Sequence, residues 1–100
     1  MIEIMLYLAS RSILIFRNNV GTSQTGRGEF IRFGLCVGSS DLIGILQDGR
    51  FLAIECKSAT GKATPEQIGF IHAINKSGGV AGICRSVDDV KALVQGVSSL

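Results

Sequence analysis

A β-hairpin signal in the middle of the chain restricts the fold more than any other feature. Residues 42–46 and 51–57 are two short apolar, strand-like runs, and Asp48-Gly49 lies in the segment that joins them. Asp-Gly between two such runs is typical of a tight turn between antiparallel strands. The chain is therefore predicted to contain an antiparallel pair of strands on which the neighbouring elements pack.

A helix and a further strand are predicted after the hairpin. Thr64 is a good N-cap, Pro65 occupies the first helical position, and Gln67 completes a Thr-x-x-Gln capping box. A pair of glycines at 78–79 ends the helix, and residues 80–84 are predicted to form a short buried strand. A helix that joins two strands in this way resembles a βαβ crossover. The apolar positions predicted to form the buried stripe of the helix are Ile68, Phe70, Ile71 and Ile74.

The elements on either side complete an α/β pattern. Residues 2–10 are predicted to form a helix, 12–17 a strand, 18–29 a glycine-containing loop, and 30–37 a strand or the approach to one. Ser86 is predicted to cap a last helix. The order αβββαβ, followed by that helix, predicts a mixed central sheet of about four strands flanked by helices.

The composition limits the class of protein. One hundred residues make one domain, 1–100, and a hydrophobic share of 46% with a net charge of +2 argues against intrinsic disorder. Glu3, Arg11 and Arg17 interrupt the apolar N-terminus, so neither a membrane span nor a signal peptide is expected. Three cysteines without a CxxC pair predict a reduced, cytoplasmic protein.

Charged side chains gather where the second strand of the hairpin ends. Side chains alternate along a strand, so Glu55 and Lys57 share one face while Cys56 lies on the other. Such a pair at a strand end is typical of an α/β site, although alone it is better explained as a solvated strand end or an ordinary ion pair. Asp41 begins the partner strand, and the hairpin brings it back towards Glu55. Two adjacent carboxylates repel unless a cation holds them, and oxygen ligands suit Mg²⁺ or Mn²⁺.

The length of the hairpin loop decides whether the two carboxylates meet. With a two-residue loop, Asp41 would lie opposite Cys56 and face away from Glu55. A three-residue loop, or a bulge at Gly44, places Asp41 on the Glu55 face. We predict one of these two arrangements.

Five motifs follow one another along residues 3–84. They are Glu3, Arg17-Asn18-Asn19-Val20-Gly21, Ser40-Asp41, Ile54-Glu55-Cys56-Lys57, and Gly61-x-x-Thr64-Pro65-Glu66-Gln67-x-x-Phe70. With Asp-(x)13-Glu-x-Lys between the strands, the chain resembles the PD-(D/E)XK nuclease superfamily and, within it, the VRR-NUC (virus-type replication-repair nuclease) family. The resemblance implies a restriction-endonuclease-like core, a single VRR-NUC domain over 1–100, and metal-dependent hydrolysis of phosphodiester bonds. Serine replaces the proline that usually precedes the aspartate.

The resemblance also implies a role for each site residue. Lys57 would orient the attacking water or stabilise the transition state, and Gln67 would help to position water or phosphate. Gln67 is explained equally well as part of the capping box, and Glu3 as an acid that favours the helix dipole. The implied ligands of Mg²⁺ or Mn²⁺ are Asp41, Glu55, the backbone carbonyl of Cys56, and Glu3.

A basic, polar segment is the candidate DNA-binding surface. Residues 11–32 carry four arginines against one glutamate, a local charge of +3, and many hydrogen-bonding side chains. A solvated polar loop explains this composition equally well, whereas the resemblance favours contacts with phosphate. The residues assigned to DNA binding are Arg17, Asn18, Asn19, Arg27 and Lys62.

The resulting hypothesis is a metal-dependent, structure-selective DNA endonuclease. Four-way (Holliday) junctions are one expected substrate, and a symmetric homodimer is the expected assembly because cutting two strands needs two active sites. One alternative is a non-catalytic nucleic-acid-binding module on a nuclease fold, and another is a structural interaction domain. The combination of Asp41, Glu55 and Lys57 argues against both, because folding does not require these three charges together.

Overall fold

Three helices and six strands make up the part of the chain that the computed structural model describes. That part is residues 1–18, 21–24, 26–33 and 35–95, with the backbone alone at 21–24 and 30–33. Within it, no helix has both the length and the apolar character needed to cross a membrane. The elements are α1 (Ile2–Ser10), β1 (Leu14–Arg17), β2 (Gly21–Gln24), β3 (Phe30–Phe33), β4 (Leu42–Ile45), β5 (Phe51–Cys56), α2 (Pro65–Lys76), β6 (Val80–Cys84) and α3 (Val87–Gln95).

Four strands form a mixed sheet in the order β1-β4-β5-β6. The pairs β1–β4 and β4–β5 are antiparallel, whereas β6 runs parallel to β5 because α2 carries the chain back between them. Helices α1 and α3 pack against each other, and α2 packs on β5 and β6. The predicted α/β class, with a mixed four-stranded sheet and flanking helices, is confirmed.

The hydrophobic core lies between one face of the sheet and the helices α1 and α3. The even-numbered residues of β4, β5 and β6 point into it, so the odd-numbered residues point to the opposite face, where α2 lies. This division places the core on one face and leaves the other available for the charged residues. The buried members of the core are Ile4, Leu8, Ile13, Leu42, Leu46, Leu52, Ile54, Val80, Cys84, Val90 and Val94.

The hairpin between β4 and β5 has a three-residue loop, one of the two predicted arrangements. The N–H of Leu46 donates to the carbonyl of Arg50 at 2.9 Å, which closes the loop. Gly49 lies in the loop at φ +89°, a left-handed conformation that glycine adopts without a Cβ clash. In the resulting register Leu42 pairs with Ile54. Asp41 therefore lies opposite Glu55.

Helix α2 begins as predicted, and three of the four positions predicted to face the sheet are at least half-buried, whereas the fourth is exposed. The capping box at Thr64 is present with both of its hydrogen bonds. Ile68, predicted to be buried, is 53% exposed. Gln67 is turned towards the sheet. Because each residue adds a rotation of about 100° around the helix axis, the next residue, Ile68, points away from the sheet. Phe70, Ile71 and Ile74 are half-buried instead.

Residues 18–29, predicted to be a loop, contain a strand. Gly21–Gln24 pairs with Phe30–Phe33 in an antiparallel two-stranded sheet. The prediction of a strand in 30–37 is therefore right for its first four residues, and the prediction of a continuous loop is wrong. The sequence Gly-Thr-Ser-Gln lacks apolar alternation, and the pairing depends on backbone hydrogen bonds that require no side-chain pattern.

Candidate active site

The candidate active site lies at the end of the sheet where β5 ends and β4 begins. The register of the two strands places Asp41 and Glu55 on the same face, and strand alternation adds Lys57 to that face. The Lys57 Nζ atom is 3.7 Å from Glu55 Oε1. The structure therefore brings together the three charged residues that the sequence analysis singled out.

Glu55 is a buried carboxyl group with one satisfied oxygen and one unsatisfied oxygen. Its side chain is 3% exposed, and Oε1 accepts a hydrogen bond from Gln67 Nε2 at 3.2 Å. Among the described residues, Oε2 has no hydrogen-bond partner. The pKa of Glu55 is raised to about 7, mainly by burial and then by the neighbouring Asp41 carboxyl group, and these effects outweigh the lowering by Lys57. Such a pair of carboxyl groups holds either a proton or a cation.

The Asp41 carboxylate is fixed by the backbone of the neighbouring strand. Its Oδ2 atom accepts a hydrogen bond from the N–H of Cys56 at 3.0 Å. In an extended strand the carbonyl of a residue points to the same side as its N–H, so the Cys56 carbonyl also faces the Asp41 side. The Cys56 thiol points to the other face, and burial together with the Asp41 charge raises its pKa, which suits a structural thiol rather than a nucleophile.

Gln67 forms the predicted capping box and also contacts Glu55. Its Oε1 accepts from the N–H of Thr64 at 2.9 Å, and its own N–H donates to Thr64 Oγ1 at 3.2 Å. Its Nε2 atom donates to Glu55. The side chain therefore caps α2 with one atom and orients the Glu55 carboxylate with the other.

The residues present fit a divalent cation with few protein ligands. Mg²⁺ is usually bound through one or two carboxylates and keeps several waters, and the unsatisfied Glu55 Oε2 beside Asp41 offers such a position. The described residues contain no group of three or more His, Cys, Asp or Glu side chains that could hold a metal. The structure does not bring Glu3 close to Asp41 and Glu55. Its helix, α1, packs on the face of the sheet opposite the candidate site. Its carboxylate is 81% exposed and 3.7 Å from the amino group of Met1.

The residues assigned to DNA binding have different positions. Arg17 at the end of β1, Arg27 in a turn, and Lys62 between β5 and α2 are exposed. Asn18 is 8% exposed, and both ends of its amide are hydrogen-bonded within the protein. The structure therefore does not support a contact of Asn18 with DNA. Asn19 lies outside the described residues.

The sequence analysis missed Arg85, which supports the loop between β5 and α2. Its guanidinium group donates to the carbonyls of Ser58 at 2.5 Å and Gly61 at 2.7 Å. A signal was present in the sequence, because Arg85 directly follows a strand predicted to lie parallel to β5. Neighbouring parallel strands end at the same edge of a sheet. The residue after β6, Arg85, is therefore expected to lie close to Lys57, the residue after β5.

The comparison with protein families decides the classification. A family model for the VRR-NUC domain matches residues 22–88, about two thirds of the chain. The chain belongs to the VRR-NUC family. A search of curated proteins found no match. The part of the VRR-NUC protein that the family model matches contains Asp41, Glu55, Lys57 and Gln67.

Membership in the VRR-NUC family confirms the resemblance and sets the general function. The VRR-NUC domain implies a nuclease-type hydrolase with DNA as its substrate. The mixed four-stranded sheet with helices on both faces agrees with the PD-(D/E)XK-like fold expected for this family.

Proposed function

We propose that this VRR-NUC protein is a metal-dependent, structure-selective DNA endonuclease in which Asp41 and Glu55 hold Mg²⁺ or Mn²⁺. The observation that carries the proposal is the pair of a buried Glu55 and a half-buried Asp41, in which Glu55 Oε2 has no hydrogen-bond partner among the described residues. Burying two adjacent carboxyl groups lowers stability unless a proton or a cation neutralises them. Groups with such a perturbed pKa are concentrated at functional sites.

The chain's own residues complete the proposed site. A bound divalent cation would lower the pKa of water and offset charge on the attacked phosphate. Gln67 donates to Oε1 of Glu55, which leaves Oε2, without a partner among the described residues, available to a cation. The Lys57 ammonium group pairs with Glu55 at 3.7 Å. Once a cation neutralises the carboxylates, this ammonium group stabilises the negative charge that develops on the phosphate.

We also propose that two exposed basic residues near the site, Arg17 and Lys62, contact DNA. Arg17 is paired with Leu42 at the start of β4, next to Asp41 along the chain, and its side chain leaves the sheet on the face opposite the carboxyl pair. Lys62 lies in the loop that leads from the end of β5 to α2. Both belong to the same end of the sheet as the carboxyl pair, so we assign Lys62 to the phosphates that flank the cleaved bond and Arg17 to phosphates further from it.

The proposed activity is tested with a panel of DNA substrates. Duplex, flap and four-way-junction DNA are incubated with the protein in the presence of Mg²⁺, Mn²⁺ or EDTA. We expect cleavage with either metal and none with EDTA, and the fastest cleavage on one branched substrate. Asp41→Asn, which keeps the size of the side chain but removes its charge, is expected to be inactive. Metal-dependent DNA binding without cleavage would support the non-catalytic module instead, and equal rates on every substrate would exclude structure selectivity.

We further propose that the enzyme is a symmetric homodimer. Leu14 and Phe16 on the edge strand β1 are 56% and 45% exposed, and Ile45 on β4 is 45% exposed. The register pairs Leu14 with Ile45, so the three side chains share the sheet face that carries the site. An exposed apolar patch next to a sheet edge suits a second copy of the chain related by a twofold axis.

Phe16→Arg is expected to convert the dimer into a monomer. The symmetric interface would then bury two unpaired guanidinium groups, so the dissociation constant of the dimer should rise by about 100-fold or more. Sedimentation velocity over a range of concentrations measures this change. Leu6→Arg is the control, because Leu6 is 66% exposed on α1, which packs on the other face of the sheet. A wild-type protein that is monomeric at working concentrations would contradict the proposed assembly.

A further inference from the structure

We infer that Asn18 is a positioning residue for the metal site, because it holds the segment that delivers Asp41. The inference rests on the proposed function, in which Asp41 is a metal ligand. Asn18 lies directly after β1, and its side chain is buried. It touches neither DNA nor metal in this assignment, and it acts through residues 35–41.

Among the described residues, the Asn18 amide forms three hydrogen bonds, and all three go to that segment. Its Nδ2 atom donates to Ser39 Oγ at 2.7 Å and to the carbonyl of Ser40 at 3.0 Å. Its Oδ1 atom accepts from the N–H of Leu35 at 3.2 Å. These partners are 17 to 22 residues away in sequence. One side chain therefore connects both ends of the turn that precedes β4 to the end of β1.

The backbone of Asn18 fixes Asp41 itself. The ladder between β1 and β4 ends at the pair Arg17–Leu42, so Asp41 lies beyond the regular strand. The N–H of Asn18 donates to the Asp41 carbonyl at 2.7 Å. Beyond the ladder, the main chain at Asp41 is thus held by Asn18 on one side, while its carboxylate accepts from Cys56 on the other.

The same segment also contacts the helix that carries Gln67. Gly38 has φ +86°, and a Cβ atom at this position would lie 2.8 Å from the backbone of Glu66. The Ser39 hydroxyl donates to the Cys36 carbonyl at 2.7 Å and closes the turn around Gly38. Asn18 therefore aligns Asp41 with both β5 and the start of α2, the two elements that position Glu55.

Asn18→Ala is expected to weaken binding of Mn²⁺ by about 10- to 100-fold, the usual effect of removing a residue that supports a metal ligand. Calorimetric titration with Mn²⁺ alone, without DNA, measures this effect independently of activity. The amide proton of Cys56 gives a second measurement, because its acceptor is the Asp41 carboxylate. We expect its hydrogen exchange to accelerate by about tenfold or more when Asp41 loses its support.

Asn75→Ala is the matched control. Asn75 also connects two elements through both ends of its amide, donating to the Ala81 carbonyl at 3.0 Å and accepting from the Ala81 N–H at 2.8 Å. Ala81 lies in β6, where it pairs with Ala53 of β5, away from Asp41. Both variants are expected to melt at a lower temperature than the wild type. Only Asn18→Ala is expected to change Mn²⁺ affinity and the exchange of the Cys56 amide.

The outcomes separate this inference from the proposed function. If the wild type does not bind Mn²⁺, the metal site is wrong, and the Cys56 amide alone decides whether Asn18 positions Asp41. If Asn18→Ala matches Asn75→Ala in both measurements, Asn18 is merely structural and the inference is overturned. If Asn18→Ala does not fold, Ser39→Ala removes one acceptor of the same amide and is expected to show the same two effects at smaller size.

Discussion

Glu55→Gln is expected to reduce metal-dependent DNA cleavage by about 10³-fold or more without unfolding the protein. The substitution keeps the size of the side chain and an oxygen that can accept from Gln67, but it removes the charge that would hold the cation. A metal ion contributes several kcal/mol of transition-state stabilisation, and about 4 kcal/mol corresponds to 10³ in rate. Single-turnover cleavage of the preferred substrate, in saturating Mg²⁺, measures the loss.

The stability of the Glu55 variant distinguishes a catalytic residue from a structural one. Removing one of two adjacent carboxyl groups relieves their repulsion, so at pH 8 without metal we expect the variant to melt at or above the wild-type temperature. Asp88→Asn is the control for the loss of one negative charge, since Asp88 is exposed in the first turn of α3. This control should keep nearly full activity. Cleavage by Glu55→Gln at the wild-type rate would exclude Glu55 from the site.

The positions of Asp41 and Glu55 could be predicted because they depend on local rules. Strand alternation assigns Glu55 to a face, and the loop length assigns Asp41 to the same face or to the opposite one. Glycine at position 49 favours the longer loop, since a three-residue hairpin commonly places a left-handed residue there. The capping role of Gln67 could be predicted for the same reason, because a capping box is defined by four consecutive residues.

The features that escaped prediction depend on contacts between distant parts of the chain. Asn18 has a polar side chain in a polar segment, and its burial depends on residues 35–41 folding over it. Ile68 is apolar at helical spacing, but the face of α2 that packs on β5 and β6 does not include every apolar position of the helix. The face that Glu3 occupies likewise depends on how α1 packs, which no motif around it specifies.

The folded protein without metal is expected to lose stability as the pH rises from about 4.5 to 7. The pKa of Glu55 is raised from its ordinary value of 4.5 to about 7. Between these values the folded protein keeps a proton that the unfolded chain has released, so each increase in pH favours the unfolded chain. The full effect, about 3 kcal/mol, is present above pH 7 and absent below pH 4.5. Chemical denaturation in EDTA at pH 5 and pH 8 measures it.

Two comparisons isolate the contribution of Glu55 to this profile. Glu55→Gln should lose the dependence between pH 4.5 and 7, because it has no carboxyl group to titrate at this position. Among the described residues, Asp48 is the other carboxyl group with a shifted pKa. Hydrogen bonds from Arg50 lower it. A lowered pKa adds stability that is lost as the pH falls below the ordinary value of 3.8, so it acts outside this range.

Metal binding is expected to show the opposite dependence on pH. The cation must displace the proton that Glu55 holds below pH 7, so the affinity for Mn²⁺ should fall by about tenfold for each unit of pH below that value. Binding at pH 5 should therefore be about 100-fold weaker than at pH 8, with protons released into the buffer as the metal binds. Calorimetry in buffers of different ionisation enthalpy measures both quantities. An affinity that stays constant between pH 5 and pH 7 would contradict a cation held by Asp41 and Glu55, whatever the protein cleaves.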